Sequence, residues 1–268
     1  MKITIDDDFD LDKIIDSGQC FRPSRTGDIY RFVTGENLIE IRYEKERGSS
    51  EPDEAPVQIS VSCTKEEWDR IWHPYFDLDT NYREIRKSIP KDDTYLQTAA
   101  KCGAGIRILR QDRFEMLISF IISQRKSIPA IRTSIERLVS LCGHKGFFPG
   151  PSDMVNVTDE ELASCALGYR LPYVKSAAEA VANKDVDLEA LDELSDEDLF
   201  ETLKTFRGVG DKVANCVALF AYHRTGRAPV DTWIARVIKE QYGGVNPFPA
   251  YGDLAGIMQQ YMFYHAKG

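Results

Sequence analysis

Residues 203–216 read Leu203-Lys204-Thr205-Phe206-Arg207-Gly208-Val209-Gly210-Asp211-Lys212-Val213-Ala214-Asn215-Cys216. One helical pattern ends near Phe206, Gly208-Val209-Gly210 turns the chain, and Val213, Val217 and Phe220 give the apolar face of a second helix. Glycines suit such a turn because a tight connection between helices needs positive φ and close backbone approach. The N–H groups exposed at the start of the second helix can hold a phosphate oxygen. A G-x-G pair alone marks only a turn, so the weight falls on the whole helix, turn and helix phrase at about 196–222 and on a second phrase downstream. There Pro229-Val230-Asp231-Thr232-Trp233 opens another helix, with Asp231 nineteen positions after Lys212.

The chain around this phrase has 268 residues, 43% of them hydrophobic and 29% charged, with a net charge of −9. These values fit a folded globular protein and exclude collagen-like and disordered classes. No apolar run approaches the ~20 residues of a membrane span. The start, Met1 to Ile5 followed by Asp6, Asp7 and Asp8, is too short and too acidic for a signal peptide, so the expectation is an intracellular protein with no membrane partner. Six cysteines lie far apart, the nearest two being Cys142 and Cys165, which reads as free thiols rather than a disulfide scaffold, zinc site or iron–sulfur cluster. No cofactor is called for.

The net acidity hides an asymmetry. Lys101 to Lys145 holds nine basic and three acidic residues, Pro151 to Glu201 three basic and fourteen acidic, and Leu203 to Glu240 seven basic and three acidic. Solvated helix faces account for such runs. A chain that holds a polyanion in one groove and repels it elsewhere has the same pattern.

Strand signals fill the first ~95 residues. Ile29–Val33 and Leu38–Tyr43, separated by Thr34-Gly35-Glu36-Asn37, read as a hairpin, and Val57, Ile59, Val61 and Cys63 alternate with polar residues as in a half-buried strand. Residues 44–56, rich in Glu, Gly, Ser and Pro, read as a solvated loop. Thr64 with Glu67 is a capping box opening a helix whose Trp68 and Trp72 belong to the core. From about residue 96 the periodicity is helical. Phe114, Leu117, Ile118, Ile121 and Ile122 mark a central helix, Thr158 and Ser195 are N-caps, and the last helix is expected from about Ala250 to Tyr264. The fold class is α+β: an antiparallel sheet domain over 1–95 and a helical domain over 96–268.

The Leu203–Cys216 phrase with Asp231 resembles the helix-hairpin-helix superfamily of base-excision DNA glycosylases, in which Gly/Pro-rich sequence precedes an essential aspartate. Lysine in the fourth place after Gly208 resembles the bifunctional glycosylase/lyase members; the alkylbase branch lacks it, and the iron–sulfur branches carry four clustered cysteines that are missing here. Further matches point to the 8-oxoguanine DNA glycosylase family. Ser17-Gly18-Gln19-Cys20-Phe21-Arg22 is similar to the family phrase whose glycine carbonyl, here that of Gly18, accepts the N7–H that distinguishes the oxidised base from guanine. Phe120 to Gln124 resembles the strand-contacting helix, and Gly168-Tyr169-Arg170 the segment that wedges the duplex and contacts the orphaned base. Ala255 to Phe263 is similar to the pocket wall, where Gln259 reads the base edge and Phe263 stacks.

Helical spacing bears on that pocket independently: Lys212 and Cys216 share one face, as do Gln259 and Phe263. On the residues alone Cys216 reads equally as a small buried apolar group, Phe263 as core, and Asp231 as a plain N-cap. Lys212 sits at the positive end of a helix dipole, which disfavours its charged form and favours a neutral, nucleophilic amine. The resemblance implies a double-stranded DNA substrate containing 8-oxoguanine, a monomer, catalysis by Lys212 and Asp231 without a metal, and a monovalent cation on the hairpin backbone between Arg207 and Val213. It also implies DNA contacts by Arg125, Tyr169, Arg170, Gly208, Val209, Gly210 and Trp233. Where eukaryotic members carry N-N-N-I-A-R this chain has Arg125-Lys126-Ser127-Ile128-Pro129-Ala130, so Arg125 replaces an asparagine and Ala130 one of two cytosine-reading arginines, leaving Arg170. Losing one guanidinium removes roughly 1–3 kcal/mol of discrimination, which implies a relaxed preference for the opposite base. Trp233 stands in place of a phosphate-contacting histidine. This divergence resembles a bacterial or archaeal branch, hence a cytoplasmic, nucleoid location. Two alternatives stay open: a related glycosylase for another damaged base, and a noncatalytic helix-hairpin-helix DNA-binding module.

Overall fold

The computed structural model describes residues 1–45 and 55–268, so most of the loop expected over 44–56 lies outside the described residues. Strands β1 (Lys2–Ile5), β2 (Ser24–Thr26), β3 (Ile29–Thr34), β4 (Asn37–Tyr43) and β5 (Val57–Val61) form one sheet in the order β1-β5-β4-β3-β2. β1 runs antiparallel to β5, pairing Ile3 with Ile59, and β4 antiparallel to β5, pairing Ile41 with Val61. Alternation in β5 buries Val57, Ile59 and Val61 and turns Gln58 and Ser60 outward. The two edge strands, β1 and β2, are additions to the hairpin and strand legible in the sequence.

The chain divides into two compact units, one of residues 1–32, 38–110 and 225–268, the other of 111–224 with the turn residues 33–37. The first unit holds most of the sheet with an aromatic core. Phe76 packs edge-on against Phe9, Phe32 and Tyr75, and Trp68 and Trp72 are buried beside it. The helix opened by the Thr64–Glu67 capping box passes through one π turn, Trp68–Trp72, before ending at Tyr75. Arg107, fully buried, donates all five guanidinium hydrogens: Nε to the Phe76 carbonyl, Nη1 to Asp7 Oδ2 and the Asp8 carbonyl, Nη2 to the carbonyls of Asp77 and Thr80. Such a cation is tolerated inside a protein only because every donor is satisfied.

The same unit ends in two helices, Thr232–Gln241 and Ala255–Lys267. The unbroken helix expected from Ala250 is not formed. A 3-10 helix over Phe248–Leu254 is interrupted at Gly252, whose φ of +52° lies outside helical space, and the α-helix starts only at Ala255.

The second unit is helical. Arg113–Ser123, buried at nearly every position, packs against Ile128–Cys142, Leu171–Ala182 and Asp211–Phe220. Phe120 stacks on Phe220 at 5.5 Å. Thr158 and Ser195 cap Asp159–Ala163 and Asp196–Lys204 by accepting from the N–H of Glu161 and Asp198. Among the described residues no helix is long and apolar enough to cross a membrane, and none of the six cysteines forms a disulfide.

Candidate functional site

In the second unit Asp196–Lys204 and Asp211–Phe220 flank the turn. The Val209 N–H donates to the Phe206 carbonyl at 3.0 Å, closing it. Its two glycines serve different ends. Gly208 has φ +84°, and a Cβ there would lie 2.4 Å from the ring of Tyr173. Gly210 is extended (φ −105°, ψ −176°) at the N-cap, with nothing within 4 Å of a Cβ, so the start of the next helix faces open space. Val209 between them is buried.

Lys212 lies in the first turn of that helix, half-buried. Its Nζ is 3.5 Å from Ser123 Oγ and 5.2 Å from the centroid of Phe120. Ser123 Oγ donates to the Phe120 carbonyl at 2.8 Å, so its lone pairs are what it offers the lysine. Cys216, one turn on, is 3% exposed. Sequence reasoning missed Ser123 and Phe120 as neighbours of the amine: both stand in the quoted Phe120–Gln124 phrase, and only the packing of the two helices reveals the pairing.

Arg125 is exposed, with φ +50°, and Tyr169 is half exposed on a 3-10 turn. Arg170, expected at a base edge, is buried. Its Nε donates to the Gln124 carbonyl at 2.7 Å, Nη2 donates to the same oxygen, and Nη1 to the Leu167 carbonyl at 3.2 Å. Lys126 Nζ donates to the Ala166 carbonyl at 2.7 Å and to Ser134 Oγ. Burial, with Arg170 and then Arg137 nearby, pushes the Lys126 ammonium below the usual lysine range. Tyr173 meets Tyr169 edge-on at 6.2 Å and lies under the Arg207 guanidinium at 5.5 Å.

In the first unit Asp231 is the N-cap of Thr232–Gln241, its Oδ1 accepting from the Ile234 N–H at 2.9 Å, and Trp233 is exposed. Gly18 has φ +80°. Its neighbours are fixed: Gln19 donates to Ser17 Oγ and the Arg107 carbonyl and accepts from the Leu109 N–H, while Gln260 Nε2 donates to the Ser17 carbonyl at 2.8 Å. Gln260 escapes the sequence reading, although its neighbour Gln259 does not. Gln259 is 4% exposed, yet its Oε1 has no hydrogen-bond partner in the protein. Phe263, one turn on, is partly buried. A buried, unpaired amide oxygen is costly unless a ligand donates to it. Among the described residues no group of three or more His, Cys, Asp or Glu side chains is placed to hold a metal ion.

A family model described as 8-oxoguanine DNA glycosylase, N-terminal domain, matches residues 2–117, and one described as HhH-GPD superfamily base excision DNA repair protein matches residues 118–255. The Clostridium acetobutylicum 8-oxoguanine glycosylase/lyase, solved with double-stranded DNA containing cytosine opposite 8-oxoguanine, is 33% identical. Its TM-score is 0.86, over 100% of this chain and 97% of that one. MBOgg1, solved with a low affinity DNA ligand, is 34% identical with a TM-score of 0.88, covering 99% and 95%. A probable N-glycosylase/DNA lyase of Methanothermobacter thermautotrophicus is 27% identical over 79% of this chain and 77% of its own length.

Proposed function

The chain belongs to the 8-oxoguanine DNA glycosylase family within the helix-hairpin-helix base-excision repair superfamily, and from that premise we propose that it excises 8-oxoguanine from duplex DNA and cuts the abasic strand by β-elimination. The observation that carries the reading is Lys212: an amine in the first turn after the glycine hairpin, beside a serine oxygen and an aromatic face. Phosphate holding alone needs no amine there.

The chemistry rests on these groups. Flipping removes the target nucleotide from the stack, with Tyr169, half exposed, as the group that fills the gap. As the C1′–N9 bond lengthens, its electron pair leaves with the base and the sugar gains oxocarbenium character, which the Asp231 carboxylate stabilises. The amine of Lys212 attacks C1′, and as the C1′–O4′ bond breaks a proton passes from the nitrogen to O4′, which leaves a Schiff base. Loss of a C2′ proton then expels the 3′-phosphate, cutting the strand. Gly18 and Gln259 serve as readers of the base, a role that the unpaired Gln259 Oε1 supports, and Cys216 and Phe263 as the apolar groups against which it stacks. Arg125, Trp233 and the Gly208-Val209-Gly210 backbone contact the duplex. The protein acts as a monomer, and the departures from the eukaryotic pattern at Arg125–Ala130 and Trp233 support a prokaryotic source, where the substrate lies in the nucleoid. The alanine at position 130 supports a relaxed opposite-base preference.

The test is borohydride trapping on duplexes containing 8-oxoguanine or guanine opposite each normal base. An adduct with 8-oxoguanine alone, absent in Lys212→Gln while that variant still binds DNA, is expected. Strand cutting retained by Lys212→Gln would overturn the role of Lys212, and release of free base with no adduct would make the enzyme monofunctional.

A further inference from the structure

Two short segments of the second unit hold each other by exchanged cations. Lys126, in the loop after Arg113–Ser123, donates to the Ala166 carbonyl; Arg170, beyond the turn that contains Ala166, donates back to the Gln124 carbonyl. Three cations in all reach that turn, because Arg137 Nη1 donates to the Ser164 carbonyl at 3.2 Å and Arg170 Nη1 to that of Leu167. The turn follows the C-terminus of Asp159–Ala163, where carbonyls lack intrahelical partners and the dipole favours positive charge. Both segments also hold a non-glycine residue at positive φ, Arg125 at +50° and Ala166 at +56°. Such residues persist where surrounding contacts over-determine them.

We infer that Lys126 and Arg170 form a reciprocal clamp that fixes Arg125 and Tyr169 in one presentation to the duplex, and that in this chain Arg170 is a positioning residue rather than a reader of the base opposite the lesion. The inference rests on the proposed glycosylase reading, which gives Arg125 and Tyr169 a duplex to meet. Arg170 is 6% exposed, and its guanidinium lies 4.4 Å from the centroid of the Tyr169 ring. One donor on each of its three nitrogens meets a backbone carbonyl, and burial keeps the two remaining N–H groups, on Nη1 and Nη2, from a base edge unless the guanidinium turns out of its seat. Reaching a base edge would strip the Gln124 carbonyl of two charge-assisted bonds and lift the cation off the aromatic face that it supports. Discrimination among opposite bases is therefore not carried by Arg170, and the clamp contributes equally whatever base is orphaned.

The test uses the full chain with Lys126→Met, Lys126→Arg, Arg170→Met and the double methionine variant. Each single methionine variant is expected to slow single-turnover excision of 8-oxoguanine roughly tenfold, by the same factor opposite all four bases. The double variant is no slower than the slower single, because both break one clasp. Lys126→Arg, which can still donate to Ala166, keeps excision within about twofold. Trapping on a single-stranded abasic oligonucleotide, which has no orphaned base, stays at the wild-type level and separates lost positioning from lost folding. In the DNA-free proteins, amides of 166–169 exchange faster in Lys126→Met and those of 124–126 faster in Arg170→Met. Losses that multiply in the double variant overturn the clamp, as does a loss in Arg170→Met confined to cytosine. Unchanged amide exchange in both singles overturns it too. A wild-type chain that excises no 8-oxoguanine sinks the functional reading instead, and the exchange measurements then decide the clamp alone.

Discussion

Tyr173 fills the space that a side chain at position 208 would need: a Cβ on Gly208 would lie 2.4 Å from the tyrosine ring. The hairpin is therefore seated on the Leu171–Ala182 helix through the missing side chain of one residue, which also sits at φ +84°. Gly208→Ala must strain the backbone and displace a ring, and a loss of about 2–4 kcal/mol of stability is expected. Adding Tyr173→Ala should return the steric part of that loss and leave the backbone part. Gly210→Ala, extended and facing open space, should fold like the wild type and lower only DNA affinity. Thermal or urea unfolding of the four proteins checks this; equal losses at the two glycines would refute it.

The carboxylate of Asp231 has a capping role and a proposed chemical one, and the two can be separated. Asparagine keeps an oxygen for the Ile234 N–H but not the charge, so Asp231→Asn should unfold like the wild type while single-turnover excision falls by about 10²–10³. Asp231→Ala should lose excision to the same degree and about 1 kcal/mol of stability besides. Excision by Asp231→Asn near the wild-type rate would mean that Asp231 only caps a helix.

Features set by local chemistry are legible in the sequence, and those set by distant partners are not. The Gly208-Val209-Gly210 hairpin, the Asp231 cap and the alternation of Val57–Val61 each need only neighbours within a few residues. β1 is invisible because its pairing partner, β5, lies more than fifty residues away and its four residues carry almost no periodicity. The break at Gly252 reads as helix in the sequence because flanking helical periodicity outweighs a single glycine. The exchange between Arg170 and Lys126 escapes for a physical reason, although Arg170 itself is singled out as a DNA contact: their partners are backbone carbonyls, which every residue has and no sequence pattern marks.

Arg107 and Asp7 tie acid stability to the first unit. Burial by itself pushes the Asp7 carboxyl up, but hydrogen bonds from the Asp8 N–H, Arg107 and the N–H groups of Arg83 and Tyr82 together outweigh it and hold the group below its ordinary 3.8. A carboxyl depressed in the folded state adds stability that is complete above the unfolded value and lost as pH falls through the folded one. Asp7→Asn, which leaves the buried Arg107 without its counter-charge, should cost about 3 kcal/mol at pH 7. The gap should narrow below about pH 3.8, as Asp7 is protonated in the wild type too. Urea denaturation of both proteins from pH 7 down to 3 measures it, and a gap independent of pH would refute the assignment.

Gln259 separates stability from function in the opposite direction. Its Oε1 is buried with no protein partner, so the side chain is held at a cost to the fold that a donor on the flipped base would offset. Gln259→Leu fills similar volume without the unpaired oxygen and should be as stable as the wild type or more stable by about 1–2 kcal/mol. The same substitution should slow excision of 8-oxoguanine at least tenfold, because the base loses an acceptor for its edge. Melting temperature and single-turnover excision on one preparation decide the matter. Lost stability with undiminished excision would show that Gln259 belongs to the packing of the Ala255–Lys267 helix and not to the reading of the base.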